Sequence, residues 1–227
     1  MKASAIIVAA GSGRRLGLDV PKAFVRLAGH PMLYYTMRTI AAVDAIEDVV
    51  VAVPRGMEEQ ARSEVRAAGL ETPVKLVAGG GERQDSVRIA LVLTSAESEL
   101  VVVHDASRPF ASAELYRACL AAAARCGGAI AAIAVADTLK RAEDRTIRAT
   151  IPRAGLFQAQ TPQAFRRDLL VAAHQRAERE RAAVTDDAEL VERFGGKVEI
   201  VEGSPLNLKI TTPADLKLAE ALVASFA

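Results

Sequence analysis

The chain has 227 residues and a net charge of +1, with 51% hydrophobic, 25% charged and 4% aromatic residues and no Trp. That balance argues against a basic surface for nucleic acid, and so few aromatics leave no base-stacking platform. No apolar run approaches the length of a membrane span and the first residues carry no signal-peptide pattern, so a cytoplasmic protein with neither nucleic acid nor membrane as partner is expected.

Strand-like apolar runs fall at residues 5–8, 49–53, 74–77, 100–103, 129–135 and 198–201, alternating with helical patterns near 31–43, 56–69, 83–96, 112–126, 162–181 and 186–194. Near-continuous Val/Ile/Ala strands separated by helices predict an α/β fold. The expected architecture is a Rossmann-like, doubly wound, mostly parallel sheet with helices on both faces. Thr161-Pro162 and Thr212-Pro213 each read as a capping hydroxyl before a proline at the first helical position, and Asp215 suits a first turn. Neither a repeat nor a linker interrupts residues 1–227, which predicts a single domain. Cys119 and Cys126, seven apart on one predicted helix, are too widely spaced for a disulfide and read as small core residues.

The first strand runs into Ala9-Ala10-Gly11-Ser12-Gly13-Arg14-Arg15-Leu16-Gly17, followed by Pro21-Lys22. Glycines let backbone N–H groups come close to a polyphosphate, and three cations beside them point to triphosphate chemistry. A Walker P-loop is absent. The dinucleotide fingerprint fails as well, because the third glycine comes one position late and the second strand ends in Pro54-Arg55 where an acid is needed.

In a doubly wound sheet, ligands sit at the carboxyl ends of the strands. The third strand ends in Gly79-Gly80-Gly81-Glu82-Arg83-Gln84-Asp85-Ser86, a second place for close backbone approach. The fourth ends in His104-Asp105-Ala106-Ser107-Arg108-Pro109. Asp105, facing a triphosphate loop, is a natural oxygen ligand for Mg²⁺, with a turn-forming Asx cap as the other possibility. His104 is expected to be structural. Residues 137–155 are polar with a turn-rich centre, open to two readings: a projecting β-arm or a solvated loop. Thr185-Asp186 reads as a contact or simply a helix cap, and Lys209, among apolar neighbours at a strand end, needs an anion to balance it. No nucleophile stands out, so direct transfer with cations stabilising charge on phosphorus is implied.

Together, AAGSGRRLG with PKAF, GGGERQDSV, VHDASRPF, DTLK, QTPQAF, VTDDAELVE and EGSPLNLKITTPADL resemble the 2-C-methyl-D-erythritol 4-phosphate cytidylyltransferase family of the non-mevalonate isoprenoid pathway, in order and nearly end to end. Ser107 stands where that family more often has alanine. The resemblance implies a CTP-dependent nucleotidyltransferase with Mg²⁺ as cofactor. It gives Arg15 and Lys22 catalytic roles, and puts Ala10, Gly11, Gly13, Gly80, Gly81, Ser86 and Asp105 on the nucleotide, with Asp105 also at the metal. It assigns Arg108, Thr138, Arg153, Thr185 and Lys209 to the acceptor. Thr138 and Arg153 match an arm that reaches into a partner's active site, which implies a homodimer. The rival on the same scaffold is a cytidylyltransferase for another polyol phosphate, such as ribitol 5-phosphate.

Overall fold

The structure, a computed structural model, describes residues 1–226; Ala227 and the side chains of Arg14, Ser225 and Phe226 lie outside the described part. Seven strands form one sheet in the order β11-β7-β10-β6-β1-β4-β5. They are β1 (Ala3–Val8), β4 (Ile46–Val53), β5 (Val74–Ala78), β6 (Leu100–Asp105), β7 (Gly128–Ala134), β10 (Phe157–Arg166) and β11 (Val198–Glu202). All run parallel except β10, which is antiparallel to both β6 and β7.

Alternate residues of each strand feed opposite faces. Ala5, Ile7, Val49, Val51 and Val102 pack beneath α1 (Met32–Ile40), α2 (Glu58–Ala67) and α4 (Ala113–Cys126). Ile6, Val50, Val101, Val103 and Phe165 pack against α3 (Arg83–Leu93), α5 (Arg167–Glu180) and α6 (Asp187–Arg193). Burial on both faces is what a parallel sheet requires, and each large side chain so buried contributes about 2 kcal/mol. A third, smaller cluster joins Leu16, Val25, Leu27 and Met32 to Ile210 and Ala219. It ties the hairpin of β2 (Arg26–Leu27) and β3 (His30–Pro31) to α7 (Pro213–Phe226).

One helix start is corrected. Thr161-Pro162 opens no helix: it lies inside β10, with a cis peptide bond, at the register irregularity between Ala159 and Gln163. The helix begins only at Arg167. A bulge tolerates a proline that has no N–H to give the ladder. Gln160, Thr161 and Gln163 are buried there, so polar residues occupy a core strand and hide it from a hydrophobicity pattern. Thr212-Pro213 does start a helix, with Asp215 N–H donating to the Thr212 hydroxyl at 3.2 Å. Residues 137–155 contain a hairpin, β8 (Leu139–Glu143) and β9 (Thr146–Ile151), joined through Asp144 and Arg145, both at positive φ. Two residues at positive φ make the primed turn that suits the twist of a two-stranded ribbon. Cys119 is buried, whereas Cys126 is only half-buried at its helix end.

Candidate active site

Val8 pairs with Ala52 on one side and Asp105 on the other, so β1, β4 and β6 end level with one another. The loops that follow β1, β5 and β6 meet at that edge around a cleft of about 660 Å³.

The loop after β1 folds back on itself. Gly13 has φ +71°, and a Cβ there would stand 3.1 Å from Lys22 N. Without one, Lys22 N–H reaches Gly11 O at 3.1 Å and closes the loop. Leu16, Ala23 and Phe24 are buried beneath it, so the apolar residues anchor the loop while Arg15 and Lys22 line the cleft. The Gly79–Gly81 turn approaches from the other side. A Cβ on Gly79 would lie 2.3 Å from Ala10 Cβ, and one on Gly80 would lie 2.3 Å from Asp85 Cβ. The two glycine loops therefore touch because those side chains are missing. Gly80 N–H donates to Ser86 Oγ, which donates to Glu82 O, both at 3.1 Å. Ser86 thereby sets the shape of the turn.

Asp105 holds the centre. Arg83 Nε donates to one of its oxygens at 3.0 Å and Lys209 Nζ to the other at 2.6 Å. Burial alone would raise its pKa, but the two cations outweigh it and hold the carboxyl well below the usual range. The anion that Lys209 requires is thus Asp105, although Lys209 lies in an irregular segment after β11 and not at a strand end. Lys22 shows the opposite balance. Burial, with Lys209 adding like-charge repulsion, pushes its pKa down to about 8. A cation so placed favours an incoming anion.

His104 is structural, as its place on the strand predicts. Asp105 N–H donates to Thr161 Oγ1 at 3.1 Å, so the Thr161 hydroxyl donates to His104 Nδ1 at 3.0 Å. The ring proton then sits on Nε2 and is given to Arg108 O at 3.1 Å. Burial holds this imidazole neutral, with its pKa down at about 4.

The cleft gathers Ala10, Gly11, Gly13, Arg15, Lys22, Gly80, Gly81, Ser86, Asp105 and Lys209. Four other candidates stand apart. Arg108 donates to Asn207 O at 2.8 Å and Ala159 O at 3.2 Å, leaving a buried Nε unpaired; burial also lowers its pKa. The Thr185 hydroxyl donates to Glu189 at 3.0 Å, and Asp186 caps α6 through Glu189 N–H at 2.9 Å. Thr138 and Arg153 are exposed at the base of the hairpin, where Arg153 donates to Ala136 O of its own chain. Sequence reasoning passed over Arg83, which lines the cleft and bridges Asp105 and Asp187. Its signal was present: an arginine in the first turn of a helix that opens from a glycine turn.

Two glycine loops and a set of basic side chains over the carboxyl edge of a doubly wound sheet define a protein of the nucleotidyltransferase class. Residues 3–225 match the family model described as IspD, 2-C-methyl-D-erythritol 4-phosphate cytidylyltransferase. The chain is 47% identical to the 2-C-methyl-D-erythritol 4-phosphate cytidylyltransferase of Deinococcus radiodurans, over 97% of this chain and 89% of that one. It is 42% identical to the enzyme of the same name from Pelotomaculum thermopropionicum, over 98% and 94%. Among solved structures, the Thermus thermophilus 2-C-methyl-D-erythritol 4-phosphate cytidylyltransferase superposes with a TM-score of 0.83 at 37% identity, over 99% of this chain and 100% of that one. The chain belongs to the 2-C-methyl-D-erythritol 4-phosphate cytidylyltransferase (IspD) family.

Proposed function

We infer that this protein transfers CMP from CTP to 2-C-methyl-D-erythritol 4-phosphate, forming 4-diphosphocytidyl-2-C-methyl-D-erythritol and pyrophosphate in isoprenoid biosynthesis. The observation that carries the inference is the charge imbalance of the cleft. Among its described lining residues, Arg15, Lys22, Arg83 and Lys209 are basic, whereas Glu82 and Asp105 are the acids and Asp105 is already doubly paired. Such a site suits two anions that repel each other, and charge stabilisation is the main task of a phosphoryl-transfer enzyme.

In this reading an oxygen of the acceptor phosphate attacks the α-phosphorus of CTP. The bond from that phosphorus to the bridging oxygen breaks, and pyrophosphate leaves with its electrons. The nucleophile is anionic already, so the reaction needs no general base. His104 could not serve as one, since both ring nitrogens are bonded and the ring is buried. Arg15 and Lys22 lie where the glycine loop would present them to the triphosphate. Gly80, Gly81 and Ser86 shape the opposite wall for the cytosine. Lys209 would leave Asp105 for the acceptor phosphate, and Arg108, which lacks a carboxylate partner among its hydrogen bonds, would join it there, with Thr185 nearby on α6.

The proposed cofactor is Mg²⁺. Among the described residues no cluster of three metal-ligating side chains exists. One cleft carboxylate in reach fits an ion carried on the triphosphate, which takes most of its ligands from phosphate and water. Asp105 would be its protein ligand, and the ion would supply neutralisation of phosphate charge.

The acceptor pocket is incomplete within one chain. Thr138 and Arg153 stand on the exposed arm, whose surroundings also expose Ile147, Leu156 and Phe157. A homodimer in which each arm completes the partner's site accounts for both facts. We read residues 1–227 as one nucleotidyltransferase domain plus this arm, acting in the cytoplasm. Among the described residues no helix is long and apolar enough to cross a membrane.

The test is CTP-dependent pyrophosphate release with purified protein and Mg²⁺, offered either 2-C-methyl-D-erythritol 4-phosphate or ribitol 5-phosphate. Release with the first acceptor and not the second is expected. Preference for ribitol 5-phosphate would replace the proposed acceptor, and CTP binding without turnover would make the protein a nucleotide-binding module.

A further inference from the structure

Behind the cleft, a line of side chains runs inward that the proposed reaction does not use. Arg83 spans two carboxylates: its Nε bonds Asp105 at 3.0 Å and one terminal nitrogen bonds Asp187 Oδ2 at 2.7 Å. Asp187, in the first turn of α6, is 1% exposed, and its other oxygen accepts from His174 Nε2 of α5 at 3.1 Å. His174 is 2% exposed, and its Nδ1 is buried with no partner. An unpartnered ring lone pair is cheaper than an unpartnered N–H, so the ring proton belongs on Nε2, pointing at Asp187. Neither Asp187 nor His174 lines the cleft.

We propose that His174 and Asp187 are positioning residues: they tether Arg83 so that its guanidinium stays on Asp105 instead of following the anionic substrates. The inference rests on the cytidylyl-transfer reading above. Arg83 is the only cleft cation, among the described residues, that is clamped between two carboxylates. An arginine's fork can hold both at once, whereas a point-charge ammonium cannot. If Lys209 moves to the acceptor phosphate, Arg83 becomes the sole bond holding Asp105 in place. A guanidinium free to turn toward a triphosphate would leave Asp105 unheld at that moment. The tether therefore acts on the transfer step more than on substrate capture.

The experiment measures kcat and KM for CTP and for 2-C-methyl-D-erythritol 4-phosphate in the full chain. The variants are His174→Leu, His174→Gln, Asp187→Asn, Arg83→Lys and the double variant His174→Leu with Arg83→Lys. His174→Leu is expected to lower kcat about tenfold while moving KM for CTP little, because a charge-assisted hydrogen bond that fixes a reacting-site group is lost. His174→Gln, which keeps an N–H donor, should recover most of that loss. In the Arg83→Lys background, His174→Leu should cost nothing further in kcat. The proposal is overturned if folded His174→Leu has wild-type kcat, if the Gln variant loses as much as the Leu variant, or if the two losses multiply in the double variant. Should His174→Leu fail to fold, Asp187→Asn, equal in shape, carries the same cycle with Arg83→Lys. Absence of turnover in the wild-type control would instead sink the reaction itself, which separates the two failures.

Discussion

The floor of the cleft and the β8–β9 arm are built on opposite principles. On the floor, the level strand ends of β1 and β6, the glycine contacts and the Arg83–Asp105–Lys209 pairs fix side chains within one chain. The arm is a two-stranded ribbon that shares no ladder with the central sheet, and most of its residues are exposed. A two-stranded ribbon alone is only marginally stable. The contrast teaches where each half of the task sits: charge stabilisation is preorganised in the sheet, while acceptor recognition waits for a surface that the arm can pack on.

The hardest test of that division strikes the floor. Lys22→Ala or Arg15→Ala should lower kcat about a hundredfold or more, the usual consequence of deleting a preorganised charge at phosphorus. Steady-state pyrophosphate release measures it, and a near-wild-type kcat would remove these residues from the chemical step. Gly80→Ala should follow, with kcat/KM for CTP down about tenfold, since its Cβ would stand 2.3 Å from Asp85 Cβ and the turn must open. An unchanged kcat/KM would mean that the turn does not shape the nucleotide site.

Smaller effects should track pH. With its pKa pushed down to about 8 by burial and Lys209, Lys22 in the free protein loses its proton as pH rises through that value. The kcat/KM for CTP should then fall on the alkaline side of pH 8, and Lys22→Arg should shift that limb to higher pH. A limb that stays in place in the Arg variant would assign it elsewhere. The acid side reads the floor's rigidity. His104 takes up a proton near 6.5 when unfolded but near 4 when folded. Between those values the unfolded chain binds more protons, so stability falls as pH drops, by about 3 kcal/mol across the window. Asp105 and Asp187, both held below the usual carboxylate range against the cost of burial, extend the loss to still lower pH. Urea unfolding at pH 7 and pH 4 measures it; equal stability at both would contradict the assignment of His104 as a buried neutral ring.

The floor was far more legible in the sequence than the network behind it. Apolar runs gave the parallel strands, because burial on both faces leaves no polar alternation to confuse the pattern. The glycine loops announced themselves, since close backbone contact excludes a Cβ. β10 was hidden: Thr161-Pro162 carries the residue pattern of a helix start, while Gln160 and Gln163 are polar residues in a core strand. Gln163 is bonded to Asp186 at 2.9 Å and Gln160 to the segment at Ser204, satisfactions visible only in three dimensions. Arg83 and Asp187 lie 104 positions apart in the chain, and no local spacing rule pairs them. Thr185 illustrates a reverse difficulty, since its bonds to Glu189 give it a helix-terminal role whatever it contacts in a complex.

The division between floor and arm is tested most directly by mixing subunits. Lys22→Ala chains have a broken floor and an intact arm; Arg153→Ala chains have the reverse. If the arm of one chain completes the floor of another, isolated heterodimers should turn over CTP and 2-C-methyl-D-erythritol 4-phosphate well above either parent variant. Verified heterodimers no more active than their parents would contradict the account and place Arg153 in the service of its own chain.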